Sequence, residues 1–460
     1  MNADSNLCDF STGPSTLKER IVTNTALLGG ARVLAALMGV ASLIVTARGL
    51  DNQSAFGTLL FIHTYMLFFS TVASLQTWQA IIKFGSDDLL EKNAPRLGKL
   101  IKTGVVLDAL SALAAFLMSI GFYGVYLWVQ SLLGIPAPEF LNNGPHNISF
   151  TTLIFSYCTI ILFRQLNVSI GICRLFDKFG VLAARALIMP LVRLLGVILA
   201  YFMGWGLVGF LAVWFVASLL SYAVLQVAAF IEVSRRKFLP FIRRSKISRG
   251  TDIPGLYPFV FKSGIDSTLS SFGTYLPSVF IIFILGPAAL AIFKIGEELA
   301  RVFYRGVTLF DQVLFPELTR LVAEKRTAEL IKLTSRAAIG IGLIGLVFSA
   351  IIIMFGEPLI TAGFKQGYED AVPIAVMLLI SASLLGISMP FHSLFYALKL
   401  PGQAIWVRII CIIAYAIIFF TLIEKWGLFA AGWGAIGIAV IEVVLVVVLT
   451  LRAIQKEKNK

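Results

Sequence analysis

The sequence predicts an all-α integral membrane protein, with twelve transmembrane helices in two six-helix lobes around a central cavity. Three observations lead there. Apolar residues make up 58% of the 460 and charged ones only 14%, with a mean hydropathy of +0.89; soluble chains average about 45–50% and about 25%. The apolar residues gather into repeated runs of about 20 or more, the length that crosses a roughly 30 Å hydrocarbon core as a helix. Lys and Arg residues alternate between the connecting segments, 28 in one set and only Arg48, Lys365 and Lys425 in the other. That bias puts the richer set and both termini in the cytoplasm and requires an even number of crossings.

In chain order, residues 1–20 are rich in Ser, Thr, Asn and Asp and predict a disordered cytoplasmic N-terminus. The apolar stretch after Lys18 and Arg20 is too long for a signal-peptide core and is read as the first retained helix. Spans at 22–48, 56–80, 103–133, 149–172, 181–203 and 206–232 make an N-terminal lobe, 21–232. A basic cytoplasmic linker, 233–258, carries seven Lys and Arg between Arg235 and Arg249. Spans at 259–285, 287–316, 334–356, 371–398, 403–424 and 427–451 make a second lobe, 259–452, before a cytoplasmic tail, 453–460. Gly, Pro, Asn and charges punctuate the gaps, as in Gly49-Leu50-Asp51-Asn52 and Gly356-Glu357-Pro358. Two six-helix halves of one orientation imply a pseudo-two-fold along the membrane normal, with the cavity between them.

Charges inside the spans carry the functional signal. Between Pro287 and Pro316 the eighth span holds Lys294, Glu297, Glu298, Arg301, Arg305 and Asp311. Glu298 and Arg301 fall about 16–21 Å from Pro287, near the middle of the core. Lys294, Glu298, Arg301 and Arg305 share one face, and Lys294–Glu298 and Glu297–Arg301 are i,i+4 pairs. Charges so deep face other helices or a wet cavity, which points to a transporter. Two readings are open: the charges neutralise one another and lock helices together, or they line a cavity that binds an anion. Arg32, Arg164 and Arg193 favour the second, since they have no acid partner within their own helices. The predicted cationic cavity is Arg32, Arg164, Arg193, Lys294 and Arg301, with Arg suited to bidentate phosphate. Glu298, Glu442 and Asp266 are candidates for ion coupling. Glu442 is also readable as a hydrogen-bonded packing carboxyl. Asp108, Lys262 and Asp311 sit near cytoplasmic span ends and are expected to reach out to the interface.

Other chemistries find little support. The formal charge of +13 resides mainly between the apolar runs, so it reports topology, and no nucleic-acid partner is predicted. Cys8, Cys158, Cys173 and Cys411 lack metal or redox spacing, and the three histidines form no HExxH or Cys/His motif. No metal site or cofactor is predicted, and the bilayer is the implied surrounding.

The stretches Gly29-Gly30-Ala31-Arg32-Val33-Leu34, Thr46-Ala47-Arg48-Gly49-Leu50, Ala55-Phe56-Gly57-Thr58 and Leu314-Phe315-Pro316-Glu317-Leu318 resemble the polysaccharide-transport (Wzx-type) flippases. These belong to the multidrug/oligosaccharidyl-lipid/polysaccharide exporter superfamily. The resemblance implies a V-shaped bundle working by alternating access. Its cargo would be an undecaprenyl-pyrophosphate-linked oligosaccharide crossing the bacterial inner membrane for O-antigen or capsule assembly, with a polysaccharide polymerase as a candidate partner. Arg32 matches a first-helix Arg of the related lipid II flippases; a second Arg of that motif falls near Met38 here, so that role is not carried over. Two alternatives remain: a drug or cation antiporter of the same fold, and a membrane polysaccharide polymerase or ligase. The short outer loops argue against the enzyme.

Overall fold

The computed structural model describes residues 8–9, 17–50, 52–133, 150–164, 167–249, 251–324, 326–364, 366–397 and 401–458. Most of the expected disordered N-terminus, the longest outer loop and the last two residues lie outside this set. The described chain is almost wholly helical, with no strand among the described residues.

The first helix, α1 (Leu17–Gly49), is followed by α2 (Gln53–Val72), α3 (Thr77–Leu90) and α4 (Ala94–Leu133). The fourth span comes in pieces, α5 (Phe150–Cys158), α6 (Ile160–Arg164) and α7 (Asn167–Leu175). Then come α8 (Phe179–Met203), α9 (Gly206–Arg235) and the short α10 (Leu239–Arg244). The longest, α11 (Leu256–Ala323), precedes α12 (Thr327–Gly363), α13 (Ala371–Ala397), α14 (Pro401–Trp426) and α15 (Phe429–Lys458).

Eleven helices among the described residues are long and apolar enough to cross a membrane. One of them, Leu256–Val307, has 52 residues and would span about 78 Å if straight, far more than the core. It breaks at Gly286, where φ is 85° and ψ 179°. An L side chain rarely adopts that conformation, and Pro287 beyond it has no N–H to continue the ladder. The two limbs therefore serve as the seventh and eighth crossings, which makes twelve.

The second span departs from the expected continuous helix. It ends at Val72 and resumes as α3 only after Gln76, whose backbone is left-handed at φ 50° and ψ 40°. The basic segment that follows is thus helical and packs on α4 and α7.

The chain divides into two compact units, Met1–Asp51 with Ile62–Ser271, and Asn52–Phe61 with Phe272–Lys460. The basic stretch 233–258 belongs to the first. Within that unit α1 lies along α8, α9 packs on α7 and α8, and α10 on α4. Its densest core joins Ile81, Leu97, Leu100, Ile101, Val168, Ile172, Phe176 and Phe238. In the second unit α13 and α14 pack on α15, and α12 on α13. Ala300, Phe303 and Val307 fix the second limb of α11 against Ile341 and Leu379, which holds its charged face in place.

The exposed faces are apolar. Ile339, Leu343, Leu346, Val347, Ile353 and Met354 of α12 all point outward, as suits lipid. Because hydrocarbon gives apolar side chains no reason to leave it, packing and interhelical polar contacts hold such bundles together. Ser381 of α13 donating to the Ala435 carbonyl of α15 at 2.8 Å is one such contact.

Candidate functional site

In the second unit, one limb of α11 carries a closed chain of ion pairs. Lys294 Nζ lies 2.7 Å from Glu297 Oε2, and Arg301 reaches Glu297 Oε1 at 2.9 Å and Glu298 Oε2 at 3.0 Å. Arg305 completes the chain with Glu298 Oε1 at 3.0 Å. Helical spacings of three, four and seven bring these groups onto adjoining turns. The expected Glu297–Arg301 pair is present. The expected Lys294–Glu298 pair is not: Lys294 takes Glu297, while Glu298 is drawn to the two guanidinium groups a turn further on.

Lys294, Arg301 and Arg305 thus share Glu297 and Glu298. The pairing does not bury the cations fully, since the Arg301 and Arg305 side chains are each 40% exposed. The pairing is the local neutralisation of one open reading, and it leaves two guanidinium groups partly accessible. Tyr415 of α14 is buried and close enough to Glu297 to feel its charge, and Tyr275 stands in the same relation to Arg301.

The three arginines expected in the first lobe sit in the first unit on separate helices. Arg193 of α8 stacks 4.0 Å from the centre of the Trp214 ring. Trp214 meets His63 edge-on, and His63 Nδ1 lies 2.8 Å from the Tyr157 hydroxyl. Arg32 of α1 is exposed and near enough to Arg174 for the two charges to repel. Arg164, the last residue of α6, stands likewise to Arg185 of α8.

Arg174 and Arg185 are set against aromatic rings. Arg174 lies over Trp78 at 4.2 Å and Arg185 over Tyr222 at 5.4 Å. Among the described residues, no carboxylate comes within ion-pair distance of Arg32, Arg164, Arg174 or Arg185. Aromatic faces hold Arg174 and Arg185 without neutralising them, because a ring quadrupole attracts charge but carries none. No common spacing links Arg174 to Trp78 or Arg185 to Tyr222, so only the fold reveals them.

The chain matches the family described as "Polysaccharide biosynthesis protein" over residues 21–322. The chain belongs to this family. It is 25% identical over 351 residues to "Inner membrane protein YghQ" of Escherichia coli (strain K12), a match covering 76% of this chain and 94% of that protein. Among solved structures it resembles an inward-facing multidrug resistance MATE family transporter of the MOP superfamily, with a TM-score of 0.71 at 14% identity over 96% and 98% of the two chains. The outward-facing form of a MATE family transporter of that superfamily gives 0.59 at 12%, over 96% and 99%. The Vibrio cholerae MATE transporter VcmN, in its bent form, gives 0.56 at 17%, over 95% and 99%. At these identities the likeness establishes the fold.

In this polysaccharide biosynthesis family member the acidic candidates fall into different settings. Glu298 is committed to two arginines. Glu442 Oε1 pairs with His392 Nε2 at 2.9 Å and accepts from Ser388 Oγ at 3.1 Å, the arrangement of a hydrogen-bonded packing carboxyl. Asp266 is exposed on the first limb of α11. Lys262 is exposed too, and the Asp311 side chain lies outside the described residues.

Asp108 contradicts its expected place at the interface. It is 0% exposed and held by Thr77 and the Val168 amide. Depth along a helix sets how far a side chain is from water only when its face is open; α3 and α7 cover this one.

Proposed function

We propose that this protein is a flippase, moving an undecaprenyl-pyrophosphate-linked oligosaccharide from the cytoplasmic to the periplasmic leaflet of the bacterial inner membrane by alternating access. The observation that carries this reading is the unneutralised cationic set. It comprises Arg32, Arg164, Arg174 and Arg185 of the first unit, which lack a carboxylate partner among the described residues. Deep cations are costly in a bilayer unless an anion visits them, and a pyrophosphate is an anion that guanidinium forks bind well. Arg193, stacked on Trp214, belongs to the same proposed path. Family membership supports a place in polysaccharide biosynthesis, and likeness to the E. coli inner membrane protein YghQ supports the inner membrane. Both termini are cytoplasmic in this reading, and a polysaccharide polymerase is the proposed consumer of the flipped unit.

The solved neighbours, multidrug transporters by title, favour a second reading: a drug or cation antiporter. An experiment on cells lacking the gene separates the two. The flippase reading expects completed lipid-linked repeat units stranded on the cytoplasmic leaflet and a loss of surface polysaccharide, both reversed by the wild-type gene. Intact surface polysaccharide with new sensitivity to organic cations would support the antiporter instead. Units found outside but unpolymerised would indicate an enzyme.

A further inference from the structure

Asp108 is the one deep acid with no cation beside it among those whose contacts are described in full. Its Oδ1 accepts from Thr77 Oγ1 at 2.6 Å and its Oδ2 from the Val168 N–H at 2.8 Å. Thr77 opens α3 and Asn167 opens α7, so one carboxylate sits on the N-terminal ends of two helices at once.

A chain of polar side chains spreads from this point. Asn167 Nδ2 donates to Ser74 Oγ at 3.2 Å, and Gln76 Nε2 donates to Ser74 Oγ at 3.3 Å and to Ser267 Oγ at 2.9 Å. Thr268 Oγ1 donates to the Val72 carbonyl, and Ser111 Oγ of α4 to the Ala73 carbonyl at 2.7 Å. The end of α2, the starts of α3 and α7, the middle of α4 and the first limb of α11 are thereby joined. That limb then leads out of the first unit at Ser271.

The charged groups on these elements are all engaged elsewhere or turned away. On α3, Lys83 lies over the Phe84 and Phe259 rings, Asp87 is exposed and Asp88 faces Arg96. Arg174 of α7 stacks on Trp78, and Arg164 of α6 senses Arg185. Lys102 of α4 bonds the Arg243 and Ser245 carbonyls, while Lys262 and Asp266 of α11 are exposed. Among the described residues, only dipoles meet Asp108. Burial without a counter-charge favours the neutral carboxyl, while donors from an amide and a hydroxyl favour the carboxylate. The two tendencies oppose each other at one group. Ionised, it accepts both bonds; protonated, it donates to Thr77 Oγ1 and keeps the Val168 amide.

We propose that Asp108 is the proton-binding site that couples this transporter to pH, its protonation setting how tightly α3, α7 and the first limb of α11 are held to α4. The proposal rests on reading the chain as a transporter. The proton comes from water and adds to a carboxylate oxygen; no other bond changes.

The test uses the full-length protein in lipid nanodiscs. pH-difference infrared spectra are recorded for wild type and Asp108→Asn, with amide hydrogen exchange followed over 74–78 and 167–171. Asparagine fits the site, since its oxygen can accept from Val168 and its amide can donate to Thr77 Oγ1. The expected result is a protonated-carboxyl band in the wild type that titrates away on raising pH and is missing from the variant. Exchange in the two segments follows the same midpoint in the wild type and, apart from the intrinsic amide dependence, is flat in the variant. In cells, export should approach tenfold change per pH unit along the limb of the wild-type titration and be flat in Asp108→Asn. The same band in both proteins overturns the proposal. If the variant fails to assemble, wild-type exchange at Asn167 and Val168 that ignores pH overturns it alone. Neither physical readout needs a substrate, so a titrating Asp108 in a protein that exports no glycan would sink the transport reading and leave the proton site standing.

Discussion

Replacing Arg301 with alanine should cost transport far more than it costs the fold. Arg301 bridges Glu297 at 2.9 Å and Glu298 at 3.0 Å, yet each carboxylate keeps another cation, Lys294 and Arg305 respectively. No buried charge is orphaned, and the Arg301 side chain is 40% exposed, so the stability loss should stay at about 1 kcal/mol or less. The stripe meanwhile loses one positive charge. Loss of a charge-assisted bond to an anion is worth about 1.5–3 kcal/mol, or about tenfold to 150-fold in affinity at 1.4 kcal/mol per decade. Arg301→Lys should lie between, because it restores the charge without a fork able to span both carboxylates. The assay is surface polysaccharide in complemented cells, set against membrane-inserted protein and its thermal unfolding in detergent. Wild-type export by a folded Arg301→Ala protein would refute the reasoning; so would equal losses in export and in folded protein.

Three further changes probe other parts of the account. Glu298→Gln removes the partner of both Arg301 and Arg305 and should weaken transport while leaving the shape of its pH profile intact, as transport measured across pH would show; a flattened profile would move the coupling role to Glu298. A Cβ at Gly57 would fall inside the van der Waals shell of the Pro287 carbonyl oxygen. Gly57→Val should therefore cost about 1–3 kcal/mol of packing and loosen the Gln53 bond to the Gly367 carbonyl and the Phe56–Tyr368 contact; a disulfide engineered between positions 53 and 367 should then form more slowly. In the basic stretch before α11, the Arg249 N–H and then Lys99 hold the Asp252 carboxyl below its ordinary range. Its contribution to that turn is thus present above about pH 4 and lost as pH falls through the lowered value, which faster exchange at the Arg249 amide in acid would report, with Asp252→Asn already fast at neutral pH.

The spans were legible because length, apolar content and the alternation of Lys and Arg all point to one answer. Gly286-Pro287 announced the break in α11 through residue types that cannot continue a helix. The break after Val72 had no such marker, since Ala73-Ser74-Leu75-Gln76 contains neither Gly nor Pro. Contacts from Ser111, Asn167, Ser267 and Thr268 accompany it, and these come from 38 to 196 residues away. The charged stripe was legible as a face, because helical spacing fixes that much. Which carboxylate each cation chooses was not, because three cations compete for two acids. Asp108 was misjudged because its nearest partners are 31 and 60 residues distant. Arg174 and Arg185 were hidden by their positions near span ends, where a topology count absorbs every basic residue.

The most direct test of the central claim is transbilayer movement of a defined undecaprenyl-pyrophosphate-linked oligosaccharide in vesicles containing the purified protein, scored by the fraction accessible from each side over time. The account predicts faster equilibration than in empty vesicles, lost in Arg301→Ala and partly retained in Arg301→Lys. Equilibration no faster than in empty vesicles, from a protein that does transport an organic cation, would contradict it.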